Sequence, residues 1–269
     1  MGVSSAEAQA RDNAGMDYLI VEVDQGIATL TLNDPEKRNA INLQMNAEIV
    51  DTMESLENSG DANVVIVTGM APAFCAGADL SDLLAARERD NIHEIYRGFL
   101  RIAHSPLPTI AAVNGAAVGA GMNMALGCDV IIAAESAKFD SRFLQIGIHP
   151  GGGHTWRLRH KTSDQTLRAM VLFGEALKGA RAAEVGLAWR CVPDDELMTA
   201  CVEMASRAAS YPTKLQRATK TAMLQLTTVD TSPDAVEHEV RPQMTSMGSP
   251  EFQELVAKLQ SSISSKESS

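Results

Sequence analysis

Positive charge is scarce in this sequence: 23 Lys and Arg stand against 34 Asp and Glu, for a formal net charge of −11. The deficit argues against a nucleic-acid partner, which needs a basic face, and requires any anionic ligand to be held by a local basic cluster. Cysteine is sparse as well. The four present, Cys75, Cys128, Cys191 and Cys201, form no CxxC pair and read as reduced core thiols, which suits a cytoplasmic protein. No apolar run approaches the ~18 residues of a membrane span. Residues 1–15, MGVSSAEAQARDNAG, lack the hydrophobic centre of a secretory signal, and Ala6 stands where a myristoylation motif has Ser or Thr. That stretch is expected to be a disordered polar tail, and the C-terminal SSISSKESS a frayed end.

Several catalytic frames are also missing. Gly119-Ala120-Gly121 begins like a dinucleotide fingerprint, but Met124 occupies the place of the third glycine. There is no GxxxxGK[ST], HExxH or GxSxG. His149 and His154 are candidate metal ligands without a third partner in the sequence, so no metal is expected.

What is present is a chain of 269 residues, 45% hydrophobic and 21% charged, long enough to bury a large core. YLIVEVDQGIATLTLN reads as a hairpin turning at Gln25-Gly26. NLQMNAEIVDTMESLENSG has helical spacing at Met45, Ile49 and Met53 and stops at Gly60. NVVIVTG, LPTIAAVNG and CDVIIAAE are apolar runs of the kind found in buried parallel strands. Strands alternating with helices predict an α/β core over residues 16–195. From Glu196 only helices are expected, in ELMTACVEMASRAAS, TKLQRATKTAMLQL and PEFQELVAKLQ, so residues 196–269 read as an oligomerisation region, with a lid as the alternative.

Two small-residue turns follow predicted strands: GMAPAFCAGADL, containing Ala76-Gly77-Ala78-Asp79, and NGAAVGAGMN. Turns at the carboxyl ends of neighbouring strands are where α/β proteins place ligands. Two backbone N–H groups converging there, one at a helix start, can stabilise an oxyanion without any side chain.

The combination NDPEKRNAIN, FCAGADL, AVNGAAVGAG…CD and GIHPGGGHTWRL resembles the crotonase (enoyl-CoA hydratase/isomerase) superfamily, in the right order from about Tyr18 to Leu259. The resemblance implies a spiral of ββα units with a C-terminal helical trimerisation region, and trimers often paired into hexamers. It implies an acyl-CoA thioester as substrate, no separate cofactor, and an oxyanion hole from the N–H groups of Ala78 and Ala120. Lys37 and Arg38 are then candidates for the CoA phosphates, with Ala40 and Ala76 beside them. Family hydratases carry one glutamate at the position of Asn123 and another at that of Phe143; some members carry a carboxylate at that of Gly151. Hydration needs a base to activate water and an acid to protonate carbon, and amide and phenyl groups do neither.

Replacement acid/base groups are sought near the glycine-rich loop: His149 first, then His154 and Asp140. Two readings stay open. One is an acyl-CoA enzyme with an unusual acid/base, for decarboxylation, thioester hydrolysis or C–C cleavage. The other is an acyl-CoA-binding protein of weak catalytic power.

Overall fold

The computed structural model describes residues 17–86 and 89–267; the expected N-terminal tail lies outside them. Strand β1 (Leu19–Asp24) turns at Gln25-Gly26, both at positive φ, into antiparallel β2 (Ile27–Leu32). Helix α1 (Leu43–Ser59) starts where the Asn42 side chain accepts from the Met45 N–H and stops at left-handed Gly60. Its buried stripe, Met45, Ile49, Met53 and Leu56, follows the helical period.

The chain then winds as a spiral. Each turn places one long strand in a six-stranded sheet and one short strand in a four-stranded sheet before a helix. The first full turn is β3 (Val64–Gly69), β4 (Ala73–Cys75), α2 (Leu80–Ala85) and α3 (Arg89–Ala103). The next is β5 (Thr109–Val113), β6 (Ala116–Val118) and α4 (Ala120–Gly127). The third is β7 (Val130–Ala134), β8 (Lys138–Asp140), a short 3₁₀ turn Phe143–Ile146 and α5 (His154–Lys161). After α6 (Asp164–Leu172) come β9 (Leu177–Lys178), α7 (Gly179–Glu184) and β10 (Arg190–Val192).

The large sheet has the order β1-β2-β3-β5-β7-β10 and the small one β4-β6-β8-β9. Every residue of β3 and β5 is buried, as in parallel strands covered on both faces. Phe74, Phe99 and Phe139 are fully buried around them, each contributing about 1.5–3 kcal/mol by leaving water. Ile41 forms a one-residue parallel bridge with Ala78, so the segment after β2 extends the small sheet by a further step.

Helix α8 (Leu197–Ala209) packs on β3, β5 and β7 and buries Leu197, Ala200, Cys201 and Ala205 in the same core. The first compact unit therefore ends at Ala209, one helix beyond the boundary expected at 195. The second unit consists of α9 (Thr213–Leu226), α10 (Ser232–Met247) and α11 (Pro250–Glu267). The sequence pattern misses α10, which contains Pro242 and buries none of its side chains. The helix α11 continues through most of the segment expected to fray. Among the described residues no helix is long and apolar enough to cross a membrane.

Candidate active site

The site is built by strand register. Strands β4, β6 and β8 are parallel neighbours, so all three deliver the chain to the same edge of the small sheet. Cys75 pairs with Ala117, and beyond the strand ends the two turns stay close: a Cβ built on Gly77 would lie 3.2 Å from the Val118 carbonyl oxygen. Val118 pairs with Asp140, which puts Ser141 beside Gly119. Gly119 has φ 50° and ψ −110°, a combination closed to residues with a Cβ, and it turns the chain into α4.

In the bridge to Ile41, the bonds run from Ile41 N–H to Gly77 carbonyl and from Asp79 N–H to Ile41 carbonyl. A parallel ladder alternates its bonding sides, so the N–H of Ala78 faces away from Ile41. Ala120 is the first residue of α4, and its N–H has no partner within the helix. Both residues line a cavity of about 490 Å³. Ala40, Ala76, Lys37, Asn123, Phe143, His149 and Gly151 line it too, so the structure brings most of the expected site residues together.

Asn39 holds the rim in shape. Fully buried, its amide nitrogen reaches the carbonyls of Met70, Ala73 and Phe74 while its oxygen accepts from Asp34 N–H. Asp79 caps α2 and pairs with Lys37 at 3.1 Å. That hydrogen bond raises the Lys37 pKa and, seen from the partner, lowers that of Asp79. Arg38 is exposed and is not among the described residues that line the cavity; its carbonyl accepts from Ala76 N–H.

The centre of the site is a buried polar chain. Asn123 Nδ2 donates to the Gly151 carbonyl at 3.0 Å. A carbonyl only accepts, so the Asn123 oxygen is the atom facing His154 Nδ1, at 2.9 Å. An amide oxygen also only accepts, which puts the proton of the neutral imidazole on Nδ1. Nε2 is left as acceptor, and the Ser141 hydroxyl, 2.8 Å away, donates to it. Burial, with the Arg157 guanidinium adding to it, pushes the His154 pKa down to about 4. The Phe143 ring packs against the imidazole with centroids 4.8 Å apart. Asn123 thus has both ends of its amide engaged, and Phe143 is a wall of the cavity.

The other expected acid/base groups fare differently. His149 is exposed at the cavity mouth and Nδ1 donates to its neighbour's carbonyl, Pro150, at 2.8 Å. The carboxylate of Asp140 is held by Arg142 at 2.6 Å and Lys138 at 3.5 Å, which makes it an ion-pair anchor for the loop rather than a proton donor facing the cavity. A Cβ added to Gly151 would lie 2.2 Å from the Tyr96 hydroxyl oxygen, so that phenol fills the space a side chain would need. Burial raises the pKa of Tyr96, and it lines the cavity.

Sequence reasoning missed Ser141 and Tyr96. The signal for Ser141 was its place one residue beyond β8, level with the glycine of the second turn. Tyr96 carried no signal, because it lies on α3, far from any motif.

Comparison with known proteins agrees with this geometry. A family model described as enoyl-CoA hydratase/isomerase matches residues 22–259. The chain is 41% identical over 248 residues to the "Probable enoyl-CoA hydratase EchA14" of Mycobacterium tuberculosis, covering 89% of this chain and 96% of that one. It is 34% identical over 209 residues to the 1,2-epoxyphenylacetyl-CoA isomerase of Escherichia coli, covering 74% and 78%. An enoyl-CoA hydratase from Bacillus anthracis superposes with a TM-score of 0.86 at 26% identity, covering 91% and 97%. The spiral of ββα turns, the two aligned turns at one sheet edge and these likenesses place the chain in the enoyl-CoA hydratase/isomerase family of the crotonase superfamily.

Proposed function

We propose that the cavity binds an acyl-CoA thioester with its carbonyl oxygen between the N–H groups of Ala78 and Ala120. The observation that carries this reading is that Ala78 and Ala120 line one cavity, with Ala78 N–H turned from its neighbour strand and Ala120 N–H at the start of α4. Enolate-like charge on the thioester oxygen is stabilised there by fixed dipoles, assisted by the N-terminus of α4. Lys37, on the cavity rim, exchanges Asp79 for a CoA phosphate. No separate cofactor is called for.

The proton-moving half of the site departs from a hydratase. Asn123 is committed to Gly151 and His154, and Phe143 presents carbon. Efficient hydration of a 2-enoyl thioester is therefore not the activity proposed; the reaction is another of the enolate or acyl-transfer type. A second reading, binding with little turnover, is favoured by the same two residues. The apolar residues left exposed on α9 to α11, among them Met223, Met244 and Leu259, support assembly into a trimer or a pair of trimers. Four cysteines that form no disulfide fit a reducing, cytoplasmic setting.

The test is Ala120→Pro. Proline is tolerated at the first position of a helix; it removes the N–H in question and puts a ring carbon in its place. With folding verified by thermal melting, thioester turnover should fall about 10²–10³-fold. Unchanged turnover would remove Ala120 from the oxyanion role.

A further inference from the structure

Ser141, His154 and Asn123 stand in series: a hydroxyl donating to an imidazole whose other nitrogen donates to an amide oxygen. The three come from separate elements, the end of β8, the first residue of α5 and the body of α4, and each is nearly sealed from solvent, at 3%, 1% and 1% exposure. The direction of the chain follows from the Gly151 carbonyl, which fixes the amide, which fixes the tautomer. That order of roles is the one found wherever a weak nucleophile is activated: nucleophile, base, and a group that orients the base. Proton transfer at the α- and β-carbons of an enoyl chain makes no use of it. Yet Ser141 and Asn123 line the same cavity as Ala78 and Ala120.

We infer that Ser141 is an acyl acceptor and that the site hydrolyses acyl-CoA thioesters through an O-acyl-serine. The inference rests on the acyl-CoA reading above and assigns it a reaction class. In the first step Ser141 Oγ attacks the thioester carbonyl carbon while its proton passes to His154 Nε2. The carbonyl oxygen takes the negative charge and faces the N–H groups of Ala78 and Ala120. Collapse breaks the C–S bond, and the imidazolium returns the proton to the departing sulfur, releasing CoA thiol. Water then gives a proton to Nε2 and adds to the ester carbon. The C–O bond breaks, Oγ recovers its proton, and the carboxylic acid leaves. Water is the only co-reactant, and nothing is oxidised or reduced. Ser141 is the nucleophile, His154 the general base and Asn123 a positioning residue. The Phe143 ring beside His154 fits an apolar acyl group.

Butyryl-CoA is a suitable probe, because a saturated chain cannot be hydrated and any loss of thioester is acyl transfer. The wild-type protein should release free thiol. After an acid quench its intact mass should show one added butyryl group, located on the peptide that contains Ser141. Ser141→Ala should lower thiol release ~10²-fold or more and abolish the adduct. Ser141→Cys keeps a nucleophile of similar shape and should carry the butyryl group on sulfur, which carries the test if the alanine variant does not fold. Asn123→Asp supplies an ionised partner to the imidazolium and should move the acidic limb of the pH–rate profile upward, a change that a purely structural role would not produce. Calorimetry separates the two levels of the reading. Binding of butyryl-CoA to the wild type without thiol release, or equal release by Ser141→Ala, overturns the acyl-serine and leaves acyl-CoA binding standing. Absence of binding overturns both.

Discussion

Asn123 and His154 meet at 2.9 Å through an amide oxygen and a ring N–H, both buried. The residue that the family resemblance matches to a hydratase glutamate is thereby tied to a second side chain and, through Gly151, to the glycine-rich loop. A carboxylate there would face the Gly151 carbonyl oxygen. Asn123→Glu should therefore not restore hydration, and it should lower the melting temperature by leaving a buried charge against a carbonyl. The unmodified protein should hydrate crotonyl-CoA well below the usual enzyme range of ~10⁴–10⁸ M⁻¹s⁻¹ in kcat/KM. A spectrophotometric assay at the enoyl absorbance checks both; brisk hydration by either protein would contradict the assignment.

The buried imidazole makes stability depend on pH. With a folded pKa of about 4 against an ordinary 6.5, His154 binds a proton more readily in the unfolded chain. Where the unfolded state holds more protons, stability rises with pH, so this residue costs stability as pH falls from 6.5 toward 4. The loss between pH 7 and pH 5 is about 2 kcal/mol from this group. Urea unfolding at the two pH values measures it, and His154→Gln should remove that share of the slope. Any activity that uses neutral His154 as base should by the same logic stay level above about pH 5 and fade only as pH drops through the folded value.

Lys37 and Arg38 are adjacent in sequence but unequal in space. Lys37 lines the cavity and bonds to Asp79, whereas Arg38 points its main chain at Ala76 and is exposed. Lys37→Ala should weaken CoA-thioester binding and flatten its dependence on ionic strength, and Arg38→Ala should leave both nearly as they were. Calorimetry at two salt concentrations distinguishes the pair; equal effects would show that the cavity rim is not where the phosphates sit.

The exposed apolar residues of α9 to α11 predict self-association. Light scattering at micromolar concentration should give the mass of three or six chains. A stable monomer would mean that these helices are covered in some other way.

Much of the fold was legible because β3, β5 and β7 are short apolar runs and α1 is periodic and capped. The two turns with Ala78 and Ala120 were legible for a similar reason, since each is a cluster of small residues after such a run. The boundary of the core was not: the stripe of α8 looks the same whether it packs on its own sheet or on another subunit. Nor was the inner polar chain. Histidine beside a glycine run carries no mark of burial, and the sequence favoured His149, which the fold leaves exposed, over His154, which it encloses. Ser141, Asn123 and His154 become partners only when two successive turns of the spiral are stacked, and no local pattern records that.

The stacking has a consequence for how such a site can change. The N–H groups of Ala78 and Ala120 belong to the main chain, held by strand register and a helix start, so side-chain substitution short of proline leaves them in place. Asn123, Ser141, Phe143 and His154 are side chains, and a single codon can replace any of them. In the function proposed above, the polarising half of the cavity is mutationally robust while the half that handles protons is free to drift. One backbone can therefore pass from one reaction to another through intermediates that never lose their grip on the carbonyl.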